Sequence, residues 1–441
     1  MMNNEDLNKK IKLIIDKINP YIISDGGNLE FIKYEDKTVY VKLSGACADC
    51  GMLDITLKDG IEHSNGDAAF TEFCLMKKRD KVTLLCGKSH YDIILNELRE
   101  HNIDTTNLFF KEIIPFKGLI KDYLLFFHEL KTVYKTLKYA KNNKETEVLF
   151  LYTTTFLVYF LKLFLSCYPQ IKVYSIFHYD FERIDIKEAI KIYKNKSLMF
   201  LYFLIFGPKL PLMLPTPKNL KFIVLGENIY KNAIKIVPKL KNELIVFPNI
   251  YIWRNVENKL PDFDKKIKFV VPGVCTYRKN GHNLRKILDA LVEKNIMNVE
   301  FSFTGRLFEQ DLYEYLQVCP IVNKDTLKMS FVSNEERDKI IAESDYAIFT
   351  YNIGSYKYTA SGAFVDAINF EKPSFVLTND FMQSYFDKFA NIGYITNNYV
   401  DLVNQIIKII EDKPIEEYKI QVQNIKNIKK ECSSFLKNID I

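Results

Sequence analysis

The stretch IKFVVPGVCTYRKNGHNLRKILDAL, residues 267–291, decides the fold. It opens on an apolar, β-branched run from Ile267 to Val271, broken only by Lys268 and of the length of one buried strand. A loop beginning Pro272-Gly273 follows. Leu284, Ile287, Leu288 and Leu291 then recur at the spacing of a helix face. Strand, loop and helix in that order make the unit of a parallel sheet, because parallel neighbours need a long crossover between them.

The same unit recurs on both sides. Strand-like runs stand at 299–304, 327–331, 346–350 and 374–377 towards the C-terminus, and at 82–86, 108–114, 147–152, 172–177, 220–225 and 244–247 towards the N-terminus. Helical stretches separate most of them, as at 91–100. The expected class is α/β, with doubly wound parallel sheets in two Rossmann-like halves joined near 255–265. A smaller α+β module precedes them, which divides the chain into 1–75, 76–255 and 256–441.

Composition agrees with several large cores. The chain has 441 residues, 48% of them hydrophobic and 26% charged, with 16 Gly and 14 Pro, which excludes a disordered or collagen-like chain. Eight cysteines are too sparse for a disulfide scaffold, and the first twelve residues are polar, so a reducing, cytoplasmic setting is expected. The most apolar stretches, 148–169 and 198–214, are interrupted by Lys162 and by Gly207, Pro208, Lys209 and Pro211, so no transmembrane helix is expected. The net charge of +6 is unevenly spread. Residues 1–75 carry −5, residues 76–255 carry +13 and residues 256–441 carry −2. In the basic segment lysines alternate with aromatics, as in Tyr134, Lys135, Lys138 and Tyr139. Such a face suits nucleic acid, an anionic membrane surface or an anionic acceptor, and equally a solvated helix in a lysine-rich chain.

The N-terminal module begins with a helical pattern over 7–18, ended by Pro20. A turn at 25–28 leads to a hairpin of 29–34 and 38–43, and SGACADCG (44–51) leads into a second helical stretch, 52–62. Cys47 and Cys50, three apart at a loop-to-helix junction, can offer two thiolates to one soft metal centre, since helix amides favour the thiolate. Two thiolates are half of the usual four, so a second copy of the chain would supply the rest. A dithiol redox pair and a structurally idle pair fit the same spacing. PYIISDGGNLEF (20–31), VYVKLSGACADC (39–50) and TLKDGIE (56–62) make residues 11–62 resemble the NifU carboxy-terminal domain. The resemblance implies an iron–sulfur cluster held by Cys47 and Cys50 between two subunits, and hence a homodimer through this module. Gly51 stands where that family usually has Pro. After Glu62, HSNGDAAFTEFCL (63–75) replaces the family's helix end and last strand, so the module is expected to end in a truncated tail.

In parallel sheets ligands gather at the carboxyl ends of strands, where helix N-termini offer unpaired amides to anions. Four loops occupy such places. The first, 272–280, carries Gly273, Arg278 and Lys279; the second is Gly305-Arg306 after 299–304. The third runs from Val332, whose backbone can read a base, into a capped helix over 333–344. The fourth, within TYNIGSYKYTASGAFVDAINFEKPSFVLTND (350–380), sets Ser361-Gly362-Ala363 at a helix start and Asp366 one turn in, where a carboxylate can accept both hydroxyls of a ribose. A solvated basic loop and an ordinary first-turn carboxylate are the plain structural alternatives.

FVVPGVCTYRKNG (269–281), VEFSFTGR (299–306), MSFVSNEERDKIIAESDYAIF (329–349) and SGAFVDAINFEKPSFV (361–376) make residues 76–441 resemble the GT-B glycosyltransferases, most strongly over 267–380. The resemblance implies metal-independent transfer of a sugar from a nucleotide-sugar donor. Arg278 and Lys279 would hold the leaving diphosphate, Ser361 and Gly362 would give it backbone contacts, and Asp366 would bind the ribose. Retaining members usually carry two glutamates where this chain has Tyr358 and Asp366. His178, after the 172–177 strand, matches the acceptor-side histidine of such enzymes and also suits a satisfied loop histidine. The expected function is transfer to a cell-surface glycan or lipid-linked acceptor by a cytoplasmic enzyme peripheral to the membrane, with no nucleic-acid partner. The alternative is an iron–sulfur scaffold or carrier whose GT-B region binds a nucleotide sugar without turning it over.

Overall fold

The structure, a computed structural model, describes residues 27–35, 38–45, 64–77, 81–113, 122–178, 181, 209–256, 259–277, 279, 281–330, 332–351 and 356–439. The chain divides into two units, Met1–Ser64 and Asn65–Ile441. In the first, β1 (Gly27–Glu35) and β2 (Thr38–Gly45) form the expected antiparallel hairpin, with a register shift between Phe31 and Lys33. The helices expected over 7–18 and 52–62, together with Cys47 and Cys50, lie outside the described residues.

The second unit begins earlier than expected, with α1 (Ser64–Lys77). Ala68, Ala69, Phe70 and Phe73 are buried in a cluster with Leu98, Ile223, Phe247 and Leu436. Phe70 stacks on Phe247 at 6.1 Å and Phe73 meets the same ring edge-on at 5.8 Å. The break expected between 75 and 76 therefore falls at Ser64/Asn65. Residues 64–77 are a core helix of the larger unit rather than a truncated tail of the smaller one, because their apolar side chains are covered there.

Next come β3 (Val82–Cys86), α2 (Lys88–Glu100) and β4 (Leu108–Glu112), with β3 and β4 paired in parallel. With α3 (Asp122–Asn142), α4 (Thr155–Phe164) and the short α5 (Lys209–Met213) goes a four-stranded parallel sheet in the order β5 (Glu147–Phe150), β6 (Lys172–Phe177), β7 (Leu220–Leu225) and β8 (Leu244–Phe247). Strand residues alternate between faces. Val173, Phe177, Phe222 and Val224 pack towards α3, α4 and α6 (Glu227–Ile236), whereas Tyr174, Ile176, Ile223 and Leu225 pack towards α1 and α2.

The C-terminal half is a five-stranded parallel sheet in the order β10 (Val299–Phe303), β9 (Ile267–Val271), β11 (Tyr346–Phe349), β12 (Ser374–Leu377), β13 (Gly393–Thr396). Its helices are α7 (Gly281–Glu293), α8 (Gln310–Val318), α9 (Asn334–Glu343), α10 (Gly362–Asn369), α11 (Asp380–Phe389), α12 (Tyr399–Asp412) and α13 (Ile415–Asn438). The fold is α/β with parallel sheets in two halves, the GT-B arrangement expected. The strand expected over 327–331 is not formed among the described residues. The chain touches β10 through a single bridge, Val322 to Phe301, and then turns, because Asn323 Oδ1 accepts from the Asp325 N–H and Thr326 Oγ1 donates to the Asn323 carbonyl.

Two features fasten the halves. Asn232 on α6 donates to the Lys357 carbonyl (2.9 Å) and to Asp380 Oδ2 (3.0 Å). Helix α13 returns to the first half, where Phe435 meets Phe247 at 5.4 Å. On the same helix Lys429, buried, donates to the carbonyls of Arg254 (2.6 Å) and Asn369 (3.1 Å) and to Glu371 Oε1 (2.9 Å), which holds the segment joining the halves. Among the described residues no helix is long and apolar enough to cross a membrane.

Candidate functional site

Strand order in the second sheet locates the site before any side chain is considered. β9 is the first strand of its half, and the chain goes to one side of it for β10 and to the other for β11. The loops leaving β9 and β11 therefore diverge and open a crevice at their carboxyl ends, where open parallel sheets bind ligands.

Three glycines shape that crevice. Gly273, just past β9, has φ +76° and donates its N–H to Thr304 Oγ1 at 2.9 Å. Gly305, just past β10, lies so close that a Cβ on it would be 2.2 Å from the Gly273 carbonyl carbon and 2.5 Å from the Val274 nitrogen. The two loops thus meet backbone to backbone, which only glycine permits. A Cβ on Gly273 would in turn lie 3.1 Å from Cβ of Ala363, in the first turn of α10. Gly362 at the start of that helix faces open space, with nothing within 4 Å of a Cβ placed on it. Ser361 caps the helix, its Oγ accepting from the Phe364 N–H at 3.3 Å. First-turn amides have no partners within their own helix, so this arrangement presents a positive helix end, with little side-chain bulk, to the crevice.

Two cations lie in the loops that carry Gly273 and Gly305. Arg306 is exposed, its guanidinium 4.5 Å above the ring of Phe308. Lys279 is exposed and its backbone N–H donates to Thr276 Oγ1 at 3.0 Å. Neither side chain makes an ion pair among the described residues. Arg278 lies outside them. Cys275 in the same loop is buried, and burial first, with the charge of Glu309 second, pushes its thiol up to about 12, so it stays neutral. Val332 is buried immediately before Ser333, whose Oγ caps α9 by accepting from the Glu336 N–H at 3.1 Å.

Asp366 is placed differently from the simple expectation of an open carboxylate. Its Oδ1 accepts from the Tyr251 hydroxyl at 2.9 Å. Burial raises its carboxyl above the usual range, against the opposing pull of the Arg337 cation and of the Tyr251 hydrogen bond. Arg337 donates to Asp338 Oδ1 from Nη2 (2.8 Å) and Nε (3.0 Å), and Arg254 Nη2 pairs with Asp338 Oδ2 at 2.7 Å. Two carboxylates and two guanidiniums thus balance in one cluster behind α10, and a ribose at Asp366 would share the carboxylate with Tyr251. Tyr251, Arg254, Arg337 and Asp338 carry no local signal that would have joined them to Asp366.

The remaining candidates stand apart from the glycine crevice. His178 follows β6 in the other sheet, where Nε2 lies 2.8 Å from the Leu151 carbonyl and the ring stacks on Tyr152 at 6.2 Å. A carbonyl can only accept, so Nε2 carries the proton. Tyr358 is buried against the core of the first half, with Lys357 Nζ 4.9 Å from its ring centre.

Residues 11–64 match the family model of the NifU-like domain. Relatives that share it include NifU-like protein 2, chloroplastic, of Arabidopsis thaliana, 30% identical over 100 residues that make 22% of this chain and 43% of that protein. The mitochondrial NifU-like protein of Saccharomyces cerevisiae is 40% identical over 62 residues, 13% of this chain and 24% of that protein. The chain spans less than half the length of these relatives. Over most of its length the structure is similar to the N-terminal domain of Candida albicans trehalose-6-phosphate phosphatase, with a TM-score of 0.50 at 9% identity, covering 85% of this chain and 93% of that one. WaaG, a glycosyltransferase involved in lipopolysaccharide biosynthesis, aligns with a TM-score of 0.47 at 12% identity over 81% of this chain and 96% of its own. At 9% identity the likeness to the trehalose-6-phosphate phosphatase domain is one of fold. The N-terminal module is NifU-like, and the larger unit is an α/β protein of the GT-B kind.

Proposed function

We propose that the larger unit is a glycosyltransferase that moves a sugar from a nucleotide-sugar donor to a cell-surface glycan or lipid-linked acceptor, and that it is fused to a NifU-like iron–sulfur module. The observation that carries the proposal is the glycine-lined crevice at the switch point of the second sheet, closed on one side by the N-terminus of α10. A diphosphate can approach the backbone at Gly362, which faces open space, while Gly273 and Gly305 let the two neighbouring loops pack closely beside it. Asp366 then takes the ribose beside Tyr251, and the backbone at Val332 takes the base. As the sugar–phosphate bond breaks, negative charge grows on the diphosphate, and Lys279, Arg306 and Arg278 supply fixed positive charge to stabilise it. His178 serves the acceptor side, and residues 76–255 and 256–441 act as acceptor and donor halves.

Cys47 and Cys50 are the proposed ligands of a cluster shared with a second copy of the chain. Two thiolates per chain suit the soft iron of such a group and make half of the usual set. The cluster would supply a carried or transferred iron–sulfur unit, and no step of glycosyl transfer is assigned to it. The basic excess of residues 76–255 would hold the enzyme on an anionic membrane surface, each Lys or Arg near it adding about 1 kcal/mol.

The test is a pair of substitutions read on two axes. Asp366→Ala is expected to weaken binding of the nucleoside diphosphate, since hydrogen bonds to a charged group contribute roughly 1.5–3 kcal/mol. Lys279→Ala is expected to leave binding largely intact and to lower turnover by a factor of about a hundred. Nucleotide binding without any turnover, against a panel of nucleotide sugars, would favour the carrier alternative. Wild-type values in both variants would place the donor pocket elsewhere.

A further inference from the structure

Helix α4, TFLVYFLKLF, carries one charge, and that charge faces inwards. Lys162 is buried, donates to the carbonyls of Leu212 (3.2 Å) and Leu214 (2.9 Å), and lies 4.0 Å from Glu243 Oε2. Apolar residues take the solvent side instead. Leu163 is 64% exposed, and Tyr159 and Phe156, one and two turns before it, are partly exposed. A surface helix in water normally arranges these the other way round. Helix α5 packs against α4, and the two carbonyls that Lys162 holds flank Met213, which is 59% exposed. Lys239 donates to the carbonyls of Met213 (3.3 Å) and Leu214, so two ammonium groups fix the end of α5. Leu210 and Leu214 are exposed as well. Four large apolar side chains, on two helices fastened to each other, thus face water.

Helix α3 packs against α4 too, with Tyr134 meeting Phe164 edge to face at 6.4 Å. Between Phe127 and Lys141 it exposes both of its end residues together with Lys131, Tyr134, Lys135 and Lys138. None of these four lysines pairs with a carboxylate among the described residues. The one acid in that stretch, Glu129, is half-buried, and burial, opposed by a hydrogen bond with Thr154, pushes its carboxyl up to about 7, so it offsets little of the positive charge. Helices α4 and α5 contain no acid at all. Protruding apolar side chains beside lysines complement a surface that is anionic outside and apolar beneath. An anionic lipid leaflet is both. A nucleic acid gives aliphatic side chains no partner, and an acidic protein surface would set Leu163 and Met213 against charge.

We propose that the face formed by α3, α4 and α5 docks the chain on an anionic lipid bilayer, with Leu163, Leu210, Met213 and Leu214 entering the boundary between headgroups and acyl chains and the lysines of α3 lying against the headgroups. The proposal rests on the membrane attachment proposed above and deepens it: a defined face replaces a diffuse basic excess, and apolar contacts contribute beside charge.

The test is co-sedimentation of the full chain, in low and in high salt, with vesicles of phosphatidylcholine containing about one-third phosphatidylglycerol and with vesicles of phosphatidylcholine alone. The wild type is expected to bind the mixed vesicles and to bind the neutral ones more weakly. Leu163→Ser combined with Met213→Ser keeps every charge and is expected to weaken binding about ten-fold or more in both salts, because the burial of two large apolar side chains is withdrawn. Leu210→Ser is a second, independent variant of the same kind. Lys135→Gln combined with Lys138→Gln keeps the apolar edge and is expected to weaken binding about ten-fold or more in low salt and little in high salt, where charge is screened. All these side chains are exposed, so the unfolding midpoint and uridine diphosphate binding should stay at wild-type values. Vesicle binding left unchanged by the serine variants would overturn the proposed face while leaving attachment by charge alone standing, and no binding of the wild type to the mixed vesicles would overturn both. Equally tight binding of a single-stranded oligonucleotide, or self-association without lipid that the serine variants abolish, would assign the face to another partner and overturn the proposal.

Discussion

Replacing Gly305 by Ala tests the proposed donor crevice most directly. The new Cβ would lie 2.2 Å from both the carbonyl carbon and the carbonyl oxygen of Gly273, whereas ordinary contact begins at 3.4 Å. The loops after β9 and β10 must therefore part by about 1.2 Å. Both neighbours are backbone, held by the parallel pairing of the two strands and by the Gly273 N–H bond to Thr304, so neither moves freely. Overpacking of this kind costs about 1–3 kcal/mol, and a displacement near 1 Å in a positioning element can cost about a hundred-fold in rate. Gly362→Ala is the control, because its Cβ meets nothing and alanine is the better helix former. Its stability should stay within about 0.5 kcal/mol of wild type. Yet the methyl would stand where a phosphate is proposed to meet the helix end. Losing one charge-assisted bond there, worth roughly 1.5–3 kcal/mol, would weaken nucleoside diphosphate binding about ten- to hundred-fold. Calorimetric titration beside thermal unfolding reads both quantities. Gly305→Ala with native midpoint and native affinity would refute the packing argument, and Gly362→Ala with native affinity would refute the placement of the phosphate.

A chain starting at Asn65 should be soluble and keep nucleotide affinity, whereas one starting at Met76 loses Phe70 and Phe73 from the core, at on the order of 3–5 kcal/mol for each ring, and should aggregate or unfold early; equal behaviour of the two would count against α1 as a core helix. Lys162 is buried, donates to the carbonyls of Leu212 (3.2 Å) and Leu214 (2.9 Å), and is lowered by burial from 10.5 to about 8. The unfolded chain therefore binds the extra proton between those values, and wild type should gain stability relative to Lys162→Met as pH rises from about 8 towards 10.5, by on the order of 3 kcal/mol; parallel pH curves would sink this. Anaerobic reconstitution should give a chromophore associated with dimers, and the double variant Cys47→Ser, Cys50→Ser should be colourless; an equally coloured double variant removes these two residues as ligands.

What could be read in the sequence was local, and what escaped it depended on distant partners. The β9 run announces itself through Phe269, Val270 and Val271, and β6, β7, β8 and β12 fall where their apolar runs stand. Strand β13, Gly393–Thr396, opens on a glycine at φ +142° and has no apolar run; it exists because β12 offers it an edge, an influence periodicity does not register. The converse error at 327–331 has the same origin, since an apolar pattern there yields to the turn at Asn323–Thr326. The module boundary was misplaced because the partner that makes α1 a core helix, Phe247, is far along the chain. In the site, Gly273, Gly305 and Gly362 were legible singly, as glycines after strands, but their convergence follows from β9 and β10 being neighbours. Asp366 was legible as a carboxylate one turn into a helix, while the hydroxyl that engages it belongs to a tyrosine 115 residues earlier. A carboxylate met only by ribose would be free to titrate and reorient. One held by Tyr251 and balanced by Arg337 is fixed beforehand, so binding of the proposed nucleotide need not spend energy on ordering it. Positioning in the proposed site is thus carried by contacts between segments far apart in sequence, and its proposed chemistry falls to residues whose local spacing already marks them.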